Sequence, residues 1–534
     1  MSKAKGILKN TFTVGAFTSL SRVLGLVREM LQAQLIGAGM EQSAFTLAFA
    51  IPNAARKLFG EGALTAAFVP IFKGTVESES LERAARLARS VMTMVLLMLG
   101  AIVLLSIGAV DAVTRFGDRL GFEDLERLRL TSTLVKTMLP YMIFICGAAF
   151  GMGVLNSLGR FKASSFMPCI LNVFWILALA WMMFFCPGLD VRRRIHCVAF
   201  AILAAGAAQM AFLLWRMSKA GVAPRLSFSG WGDSKVRLVW RNVGIAALGA
   251  GAVQINYLLD QGLAYYASDW AAGVIGYAER LMDLPLGIIG VAFGTVLLPT
   301  FAGLFAKGDV AGARDALASS VKSLMFVMLP ASAGLLALAP EVTGVIYQRG
   351  EFDAVATLRV SRALAVYAVG LGFFGFTKSM VPWFHAQNDM KTPLAVSSSA
   401  VVLNAALNIA AVVFLPVEFR HVGLAASTVF CAAASCAALF MLARRKNGTL
   451  GLASTVSPLA KMAFASVLMG LAVWFSRPFV AGLSQGVVGS ERVAPVVALA
   501  VLVALGGALY ALFAAAMMPS EIRSLVRRPR AKAR

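Results

Sequence analysis

Apolar runs of about 20 residues recur along the whole 534-residue chain, separated by short polar stretches. A helix needs roughly 20 mainly apolar residues to cross the hydrocarbon core of a bilayer. Windows of that length predict fourteen spans, near residues 11–37, 44–72, 90–110, 134–158, 164–186, 195–215, 242–266, 273–303, 318–340, 358–385, 393–415, 422–443, 460–476 and 494–518. The predicted fold class is therefore an all-α polytopic membrane protein.

Composition agrees with a membrane protein and argues against the ordinary soluble class. Apolar residues make up 59% of the chain, charged residues only 14%, and the mean hydropathy is +0.78. Soluble domains are about half apolar and about a quarter charged. The basic stretch MSKAKGILKN leads into a full-length span without a small-residue cleavage site, so we expect a retained cytoplasmic end and not a signal peptide.

The net charge of +23 would suit a nucleic-acid-binding protein, but its distribution does not. With the N-terminus in the cytoplasm, fourteen spans place the C-terminus there too. The excess of Lys and Arg then falls on the cytoplasmic side, as the positive-inside rule predicts. The tail EIRSLVRRPRAKAR and the loop 444–446 are expected to touch anionic lipid head groups, and no nucleic-acid partner is expected.

Two short motifs recur at one offset and indicate an internal duplication. AFVPIFKG at 67–74 returns as VLLPTFAG at 296–303, and GRFK at 159–162 returns as NDMK at 388–391, both 229 residues later. Six spans per half, in the same order and orientation, describe a parallel repeat. We therefore predict two homologous six-helix lobes plus two C-terminal helices. The predicted division is an N-lobe at 1–216, a cytoplasmic linker at 217–241, a C-lobe at 242–446, and helices 13 and 14 with the basic tail at 447–534.

Eleven charged residues lie well inside the predicted spans, ten of them in spans 1, 2, 7 and 8, which correspond in the duplication. They are Arg22, Arg28, Glu29, Arg56, Lys57, Glu61, Asp260, Glu279, Arg280, Asp283 and Lys378. A charge near the bilayer centre costs at least about 2.5 kcal/mol, so we expect these residues to line a hydrated cavity shared by both lobes or to pair with one another. The spacings of Lys57 with Glu61 and of Arg280 with Asp283 keep pairing open as a purely structural explanation.

Arginine dominates these cations, which favours an anionic ligand. Four of the six are Arg, whose planar fork suits bidentate contact with phosphate. A ligand with two or more negative charges, such as a pyrophosphate, would match this cluster. Pro52, Pro70, Pro285 and Pro299 are expected to bend spans 2 and 8 beside the charges, although tolerated kinks in a packed bundle would give the same pattern.

No catalytic machinery is predicted. The sequence has no GxxxxGK[ST] loop, no recognisable Ser–His–Asp set, six cysteines without CxxC spacing and three scattered histidines. We expect no enzyme activity and no catalytic cofactor. Energy for any transport would come from an ion gradient, the membrane potential or the gradient of the substrate.

Four stretches, SRVLGLVRE, IPNAARKLFGEGALTAAFVPIF, YAERLMDLPLGIIGVAFGTVLLPTF and NDMKTP, closely resemble the MurJ (MviN) family. Its members are lipid II flippases of the multidrug/oligosaccharidyl-lipid/polysaccharide exporter superfamily. The resemblance implies a bacterial inner-membrane protein that moves the undecaprenyl-pyrophosphate-linked peptidoglycan precursor from the inner to the outer leaflet. It also implies that the last two spans hold the polyprenyl tail.

The resemblance implies site residues as well. In the family, basic residues of helices 1, 2 and 8 line a central cavity and hold the pyrophosphate–sugar head. The substrate-binding candidates here are Arg22, Arg28, Glu29, Asn53, Arg56 and Arg280. A second charged set in the same spans is Lys57, Glu61, Glu279 and Asp283.

Some relatives carry a sodium site between helices 7, 11 and 12. The matching candidates here are Asp260, Asn404, Asn408 and Thr428, with Ser427 as an alternative. Hydrogen bonding between helices would explain the same polar residues. One position departs from the family pattern: the outer loop reads GAGMEQSAF, with Ser43 where members often carry Asp and Glu41 as the nearest substitute.

The leading hypothesis is a lipid II flippase that works by alternating access, driven by Na⁺ or the membrane potential. Its partners would be lipid II, membrane lipids and cell-wall synthesis proteins. Two alternatives stay open. The same fold could move another polyprenyl-linked polysaccharide or export drugs, and a non-transporting scaffold of cell-wall synthesis would use the buried arginines for stability alone.

Overall fold

The computed structural model describes residues 2–117, 124–228, 230 and 232–519. Within these ranges the side chains of 2–13, 60–63, 245, 248–250, 252, 288–292, 294 and 295 are not described. Glu61 is therefore placed only by its backbone.

The described residues form seventeen α-helices and one π-helical segment, and no strand occurs among them. In chain order they are α1 (Ser2–Ile36), α2 (Met40–Ala55), the π segment (Arg56–Ala63), α3 (Leu64–Ser78), α4 (Leu81–Arg115), α5 (Leu125–Met138), α6 (Tyr141–Ser157), α7 (Phe161–Phe185), α8 (Val191–Ser218), α9 (Ser234–Ala267), α10 (Ala271–Ala306), α11 (Val310–Ala337), α12 (Ala339–Tyr347), α13 (Ala354–His385), α14 (Lys391–Phe414), α15 (Val417–Asn447), α16 (Ala453–Val488) and α17 (Ala494–Met517).

Each predicted span falls on one helix or on one interrupted helix. The second span is α2, the π segment and α3 in sequence, and the fourth is α5 and α6 on either side of Pro140. Among the described residues, ten helices or helix pairs are long and apolar enough to cross a membrane. The other four predicted spans are those with ten of the eleven internal charges, so the total of fourteen stays a prediction.

The duplication is confirmed by the helix boundaries. Shifting α5 and α6, 125–157, by 229 residues gives 354–386, and α13 covers Ala354–His385. The helix caps repeat as well: Ser80 accepts a hydrogen bond from the N–H of Arg83 at the start of α4, and Asp309 accepts one from Gly312 at the start of α11. Ser and Asp are favoured N-cap residues because their oxygens satisfy N–H groups that lack a helical partner.

The repeated GRFK and NDMK loops have the same unusual backbone. Gly159 has φ +72°, and Asn388, which is 229 residues later, has φ +58°. Left-handed backbone at a helix end suits Gly, and Asn is the residue that most readily replaces it. Both halves of the repeat therefore have a left-handed residue at this turn, although the residue is Gly in one half and Asn in the other.

The chain divides into two compact units. The first holds Met1–Gly273 and the loop residues Arg349–Asp353, and the second holds Val274–Gln348 and Ala354–Arg534. Packing therefore groups α9 with the first six predicted spans. The predicted lobe boundaries are drawn from the sequence repeat and not from packing, so the division into compact units does not test them. They stay a prediction.

Each unit has its own apolar core. In the first, buried aromatic side chains include Tyr141, Phe150 and Trp175, packed with apolar side chains of α1 to α9. In the second, Phe301 and Trp383 belong to one core, and Val473 belongs to another that α16 forms with α17. The core of the first unit packs against α1, which carries Arg28, and against the π segment, which carries Arg56.

Candidate functional site

Arg28 of α1 has a nearly complete set of partners within the first unit. Its Nη1 donates to Oδ1 of Asn172 at 3.0 Å, its Nη2 donates to Glu29, and its Cζ lies 4.4 Å from the ring centre of Trp175. The Arg28 side chain is only 13% exposed. Its Nε is buried and has no hydrogen-bond partner among the described residues.

The partners of Arg28 come from α7 because of helical spacing. Asn172 and Trp175 are three residues apart, so they lie on one face of α7. On α1, Ser21 precedes Arg28 by seven residues, and Nδ2 of Asn172 donates to the Ser21 carbonyl at 2.9 Å. Asn172 therefore bonds α1 at two points two turns apart and orients the guanidinium between them.

A buried chain of amides continues from Trp175 to α2. Nε1 of Trp175 donates to Oε1 of Gln32 at 2.7 Å, and Nε2 of Gln32 donates to Oε1 of Gln42 at 2.9 Å. Nε2 of Gln42 donates to the hydroxyl of Thr46 at 3.3 Å. A buried polar network whose members bond one another restricts their rotamers, so the Trp175 ring under Arg28 is held in place.

Glu29 balances the charge of Arg28. Their side chains form an ion pair, and Glu29 is 16% exposed. This pair occupies Nη2, whereas Nε keeps its donor without a partner among the described residues. A phosphate oxygen could replace the Glu29 carboxylate on Nη2 and accept from Nε as well.

Arg56 begins the π segment and bonds back to the preceding turn. Its Nε and Nη2 lie 3.2 Å and 3.1 Å from Oδ1 of Asn53, which joins two of the predicted substrate-binding residues. Pro52, one residue earlier, lies inside α2 and has no N–H to donate. A π-helical turn in an α-helix often marks a functional site, and here it carries Arg56, Lys57 and Glu61.

Lys57 is exposed and lies over an aromatic ring of α9. Its Nζ is 4.9 Å from the ring centre of Tyr257. Cation–π contacts of this kind hold a cation without neutralising it. Arg22 on α1 is also exposed.

The three predicted charges of α10 belong to the second unit. Arg280 and Asp283 of α10 are exposed, and Glu279 is half-buried. The hydroxyl of Tyr367 donates to Oε1 of Glu279 at 3.5 Å. The assignment of all these residues to a substrate site stays a prediction.

The sodium candidates are divided between the two units. In the second, Asn404 and Asn408 are buried, and Nδ2 of Asn408 donates to Oδ1 of Asn404 at 3.1 Å along the same helix. Thr428 donates to the Leu424 carbonyl at 3.2 Å, and in the first unit Asn256 donates to Oδ2 of Asp260 at 3.0 Å. Amide, hydroxyl and carboxylate oxygens suit a hard cation chemically, and the sodium site stays a prediction.

Glu41 and Ser43, predicted to lie in an outer loop, are in the first turns of α2 and have different environments. Ser43 is fully buried, and its Oγ has no hydrogen-bond partner among the described residues. Oε1 of Glu41 lies 3.7 Å from Nε of Arg192, so Glu41 supplies a carboxylate for an ion pair at this end of α2.

Asn172, Trp175, Gln32 and Gln42 were not predicted as site residues. Their signal in the sequence is weak, because single polar or aromatic residues occur in many membrane helices. The spacing of Asn172 and Trp175 on a single face of an otherwise apolar span was the available clue.

Comparison with known proteins agrees with this architecture. The family model described as lipid II flippase MurJ matches residues 32–494. A probable lipid II flippase MurJ of Vibrio cholerae serotype O1 is 33% identical over 516 residues, 95% of each chain. A probable lipid II flippase MurJ of Rhizobium tropici is 34% identical over 404 residues, 76% of this chain and 75% of its own length.

Solved structures show the same fold. A lipid II flippase MurJ in an inward closed conformation has a TM-score of 0.76 at 22% identity, covering 96% of this chain and 99% of its own. An inward-facing MATE transporter has a TM-score of 0.68 at 16% identity, covering 80% of this chain and 95% of its own. Flippases are transporters, which confirms the expectation that the chain is not an enzyme. The family model and the relatives, one aligned along nearly the full length, establish that this multi-pass membrane protein belongs to the lipid II flippase MurJ family.

Proposed function

We propose that this protein moves lipid II from the inner to the outer leaflet of the bacterial cytoplasmic membrane by alternating access, and so supplies peptidoglycan synthesis. Family membership supports the cargo, because the family model and the relatives are described as lipid II flippases. The observation that carries the mechanism is the environment of Arg28. A largely buried, always-charged guanidinium keeps one buried donor without an acceptor among the described residues.

The pyrophosphate would bind Arg28 by exchange with Glu29. In the structure, Glu29 accepts from Nη2 of Arg28, and Asn172 accepts from Nη1. One pyrophosphate group has enough oxygen atoms to take the place of Glu29 on Nη2 and to accept from Nε. This exchange lets a charged head group enter a poorly solvated site without leaving Arg28 unpaired at any stage.

Arg22, Asn53, Arg56 and Arg280 would complete the binding of the head group. Arg56 is held by Asn53 at the start of the π segment, where backbone geometry departs from a regular helix. Arg22 and Arg280 are exposed, so they would meet the ligand with little desolvation. The charges of Lys57 and Glu279 would change the electrostatic potential around these arginines.

The test is the location of lipid II in cells depleted of this protein. An externally added enzyme that cleaves only outward-facing head groups reports the distribution. We expect lipid II to accumulate in protected form, and we expect re-expression of the wild type, but not of Arg28→Ala, to restore cleavage. Arg28→Lys should restore it weakly, because Lys lacks the fork.

A matched control is available in α8. Arg216 also lies over a tryptophan, with Cζ 5.6 Å from the ring centre of Trp215, and it belongs to no predicted site. Arg216→Ala should support cleavage as the wild type does. Unchanged outward-facing lipid II after depletion, with no second flippase expressed, would reject the proposed cargo. Full activity of Arg28→Ala at normal protein level would reject the binding role.

Sodium coupling remains part of this proposal. If Na⁺ drives transport, replacing external Na⁺ by choline should slow the appearance of outward-facing lipid II in vesicles of fixed membrane potential. Asn408→Ala should remove that Na⁺ dependence. A transport rate that follows only the membrane potential would exclude coupling to Na⁺.

A further inference from the structure

A separate charged pocket lies in the second unit, where α12 meets α16. It is a cavity of about 410 Å³. The residues that line it are Glu341, Trp474, Phe475, Arg477, Pro478 and Ala481. None of them belongs to the predicted head-group or sodium sites.

Arg477 lines this pocket and has one guanidinium nitrogen, Nη2, left to donate to a ligand. Its Cζ lies 3.8 Å from the ring centre of Trp474, and Nη1 donates to the Ala337 carbonyl at 3.0 Å and lies 3.2 Å from Oε1 of Glu341. Nε is buried without a hydrogen-bond partner, and Nη2 has none among the described residues. Nη2 is therefore the nitrogen of Arg477 that can make a charge-assisted hydrogen bond to a phosphate oxygen.

The pocket also offers acceptors beside that nitrogen. Both oxygens of Glu341 contact the same Nη1, so the carboxylate has lone pairs left for a second donor. Pro478 has no N–H to donate to the Trp474 carbonyl, so the regular helical bond is missing there. A cation donor could therefore be bound within the same cavity as an anion.

Two features, the ends of two predicted spans and an exposed pair of aromatic side chains, indicate that the pocket lies at the membrane surface. Glu341 follows the predicted span 318–340, and Arg477 follows the predicted span 460–476, so both charges stand where an apolar run ends. Beside them, Phe475 is 74% exposed and Trp474 is 47% exposed. Large aromatic residues at the end of a span are typical of the interface between lipid chains and head groups.

We propose that this pocket binds the head group of phosphatidylethanolamine. A phosphodiester oxygen accepts from Nη2 of Arg477, and the ammonium donates to Glu341 and the Trp474 carbonyl. A zwitterion fits because Arg477 and Glu341 are already paired, so the pocket has both signs and little net charge. A purely anionic head group would satisfy Arg477 but face the Glu341 carboxylate.

The test uses the full-length protein, purified in detergent and stripped of lipid, with native mass spectrometry as the readout. The probes are dioctanoyl phosphatidylethanolamine and dioctanoyl phosphatidylglycerol, and soluble phosphoethanolamine and inorganic phosphate serve as competitors. We expect the wild type to prefer the ethanolamine lipid and Arg477→Ala to bind it about tenfold more weakly, which is the loss of one charge-assisted contact. Lys461→Ala, at the other end of α16, should bind as the wild type does.

Glu341→Gln provides a second test of the proposal if Arg477→Ala does not fold. It should lose the preference for ethanolamine while keeping the affinity for the glycerol lipid. Equal binding of the ethanolamine lipid by the wild type and Arg477→Ala would overturn the proposal, as would a wild-type preference for the glycerol lipid. Competition by inorganic phosphate as strong as that by phosphoethanolamine would show a free-phosphate site and overturn it too.

Discussion

Nη1 of Arg194 and Oε1 of Glu351 lie 3.1 Å apart, although 157 residues separate them in the chain. Glu351 belongs to the loop Arg349–Asp353, which is part of the first compact unit. The N–H of Glu351 also donates to the Gln34 carbonyl at 2.9 Å, next to the end of α1. The loop is thus bonded to the first unit by both backbone and side chain.

Gly350→Ala should weaken this attachment. Gly350 has φ +55°, and an added Cβ would lie 2.3 Å from the Gln34 carbonyl oxygen. We expect the variant to lower the apparent unfolding temperature of the purified protein. Gly159→Ala is the control, because Gly159 has φ +72° but open space around its Cβ, so only the backbone strain of about 1–2 kcal/mol applies. Equal losses in the two variants would contradict the close contact at Gln34.

Trp175→Phe should destabilise the protein by removing one buried donor. The ring over which Arg28 lies would remain, but Oε1 of Gln32 would lose its bond from Nε1 of Trp175. A buried polar group left without a partner costs about 1–3 kcal/mol, and we expect a lower apparent unfolding temperature. Trp181→Phe on the same helix, where the side chain is 51% exposed, should change it little.

Asn172→Asp should reduce transport while the protein still accumulates in the membrane. The introduced carboxylate would pair with Nη1 of Arg28, so a pyrophosphate would have to compete with two anionic side chains, the new one and Glu29, instead of one. Because each tenfold change corresponds to about 1.4 kcal/mol, one added ion pair is expected to lower the rate at least about tenfold. The measurement is external cleavage of lipid II. Asn156→Asp, at an exposed amide that accepts from Ser164, should leave cleavage unchanged.

Asp389 should make the stability of the NDMK loop depend on acid pH. Hydrogen bonds from Lys446 and from the Thr392 backbone lower the pKa of Asp389 to about 2, below its usual value of 3.8. Because the folded pKa is depressed, the stabilisation is complete above about pH 4 and is lost as the pH falls through about 2.

Asp389→Asn removes the titrating group and serves as the reference. The wild type should unfold at a higher temperature than this variant near neutral pH, and the difference should shrink below about pH 4. A difference that stays constant down to about pH 2 would contradict the proposed ion pair with Lys446. Lys446→Ala should make the acid loss smaller, because the carboxylate of Asp389 would lose its principal donor and its pKa would return toward the usual value of 3.8.

Much of the architecture follows from local residue order. Hydropathy placed each of the predicted spans on a helix, and two short motifs predicted the 229-residue repeat that the helix boundaries reproduce. These properties depend on neighbours along the chain, and a bilayer demands them of every spanning segment. The interruption of span 4 at Pro140 and the π segment after Pro52 were less evident, because a proline can kink, break or be tolerated.

Packing of the helices decides which residues contact the charged side chains. Arg28 and Glu29 could be recognised as costly residues in an apolar span, but Asn172 and Trp175 are more than 140 residues away, and nothing local predicts which face of α7 turns toward α1. The attachment of Glu351 to Arg194 and Gln34 is equally remote. Hydropathy tells which segments enter the membrane, but the rotation of each helix about its axis is decided by side-chain packing, and that rotation determines which polar atoms meet.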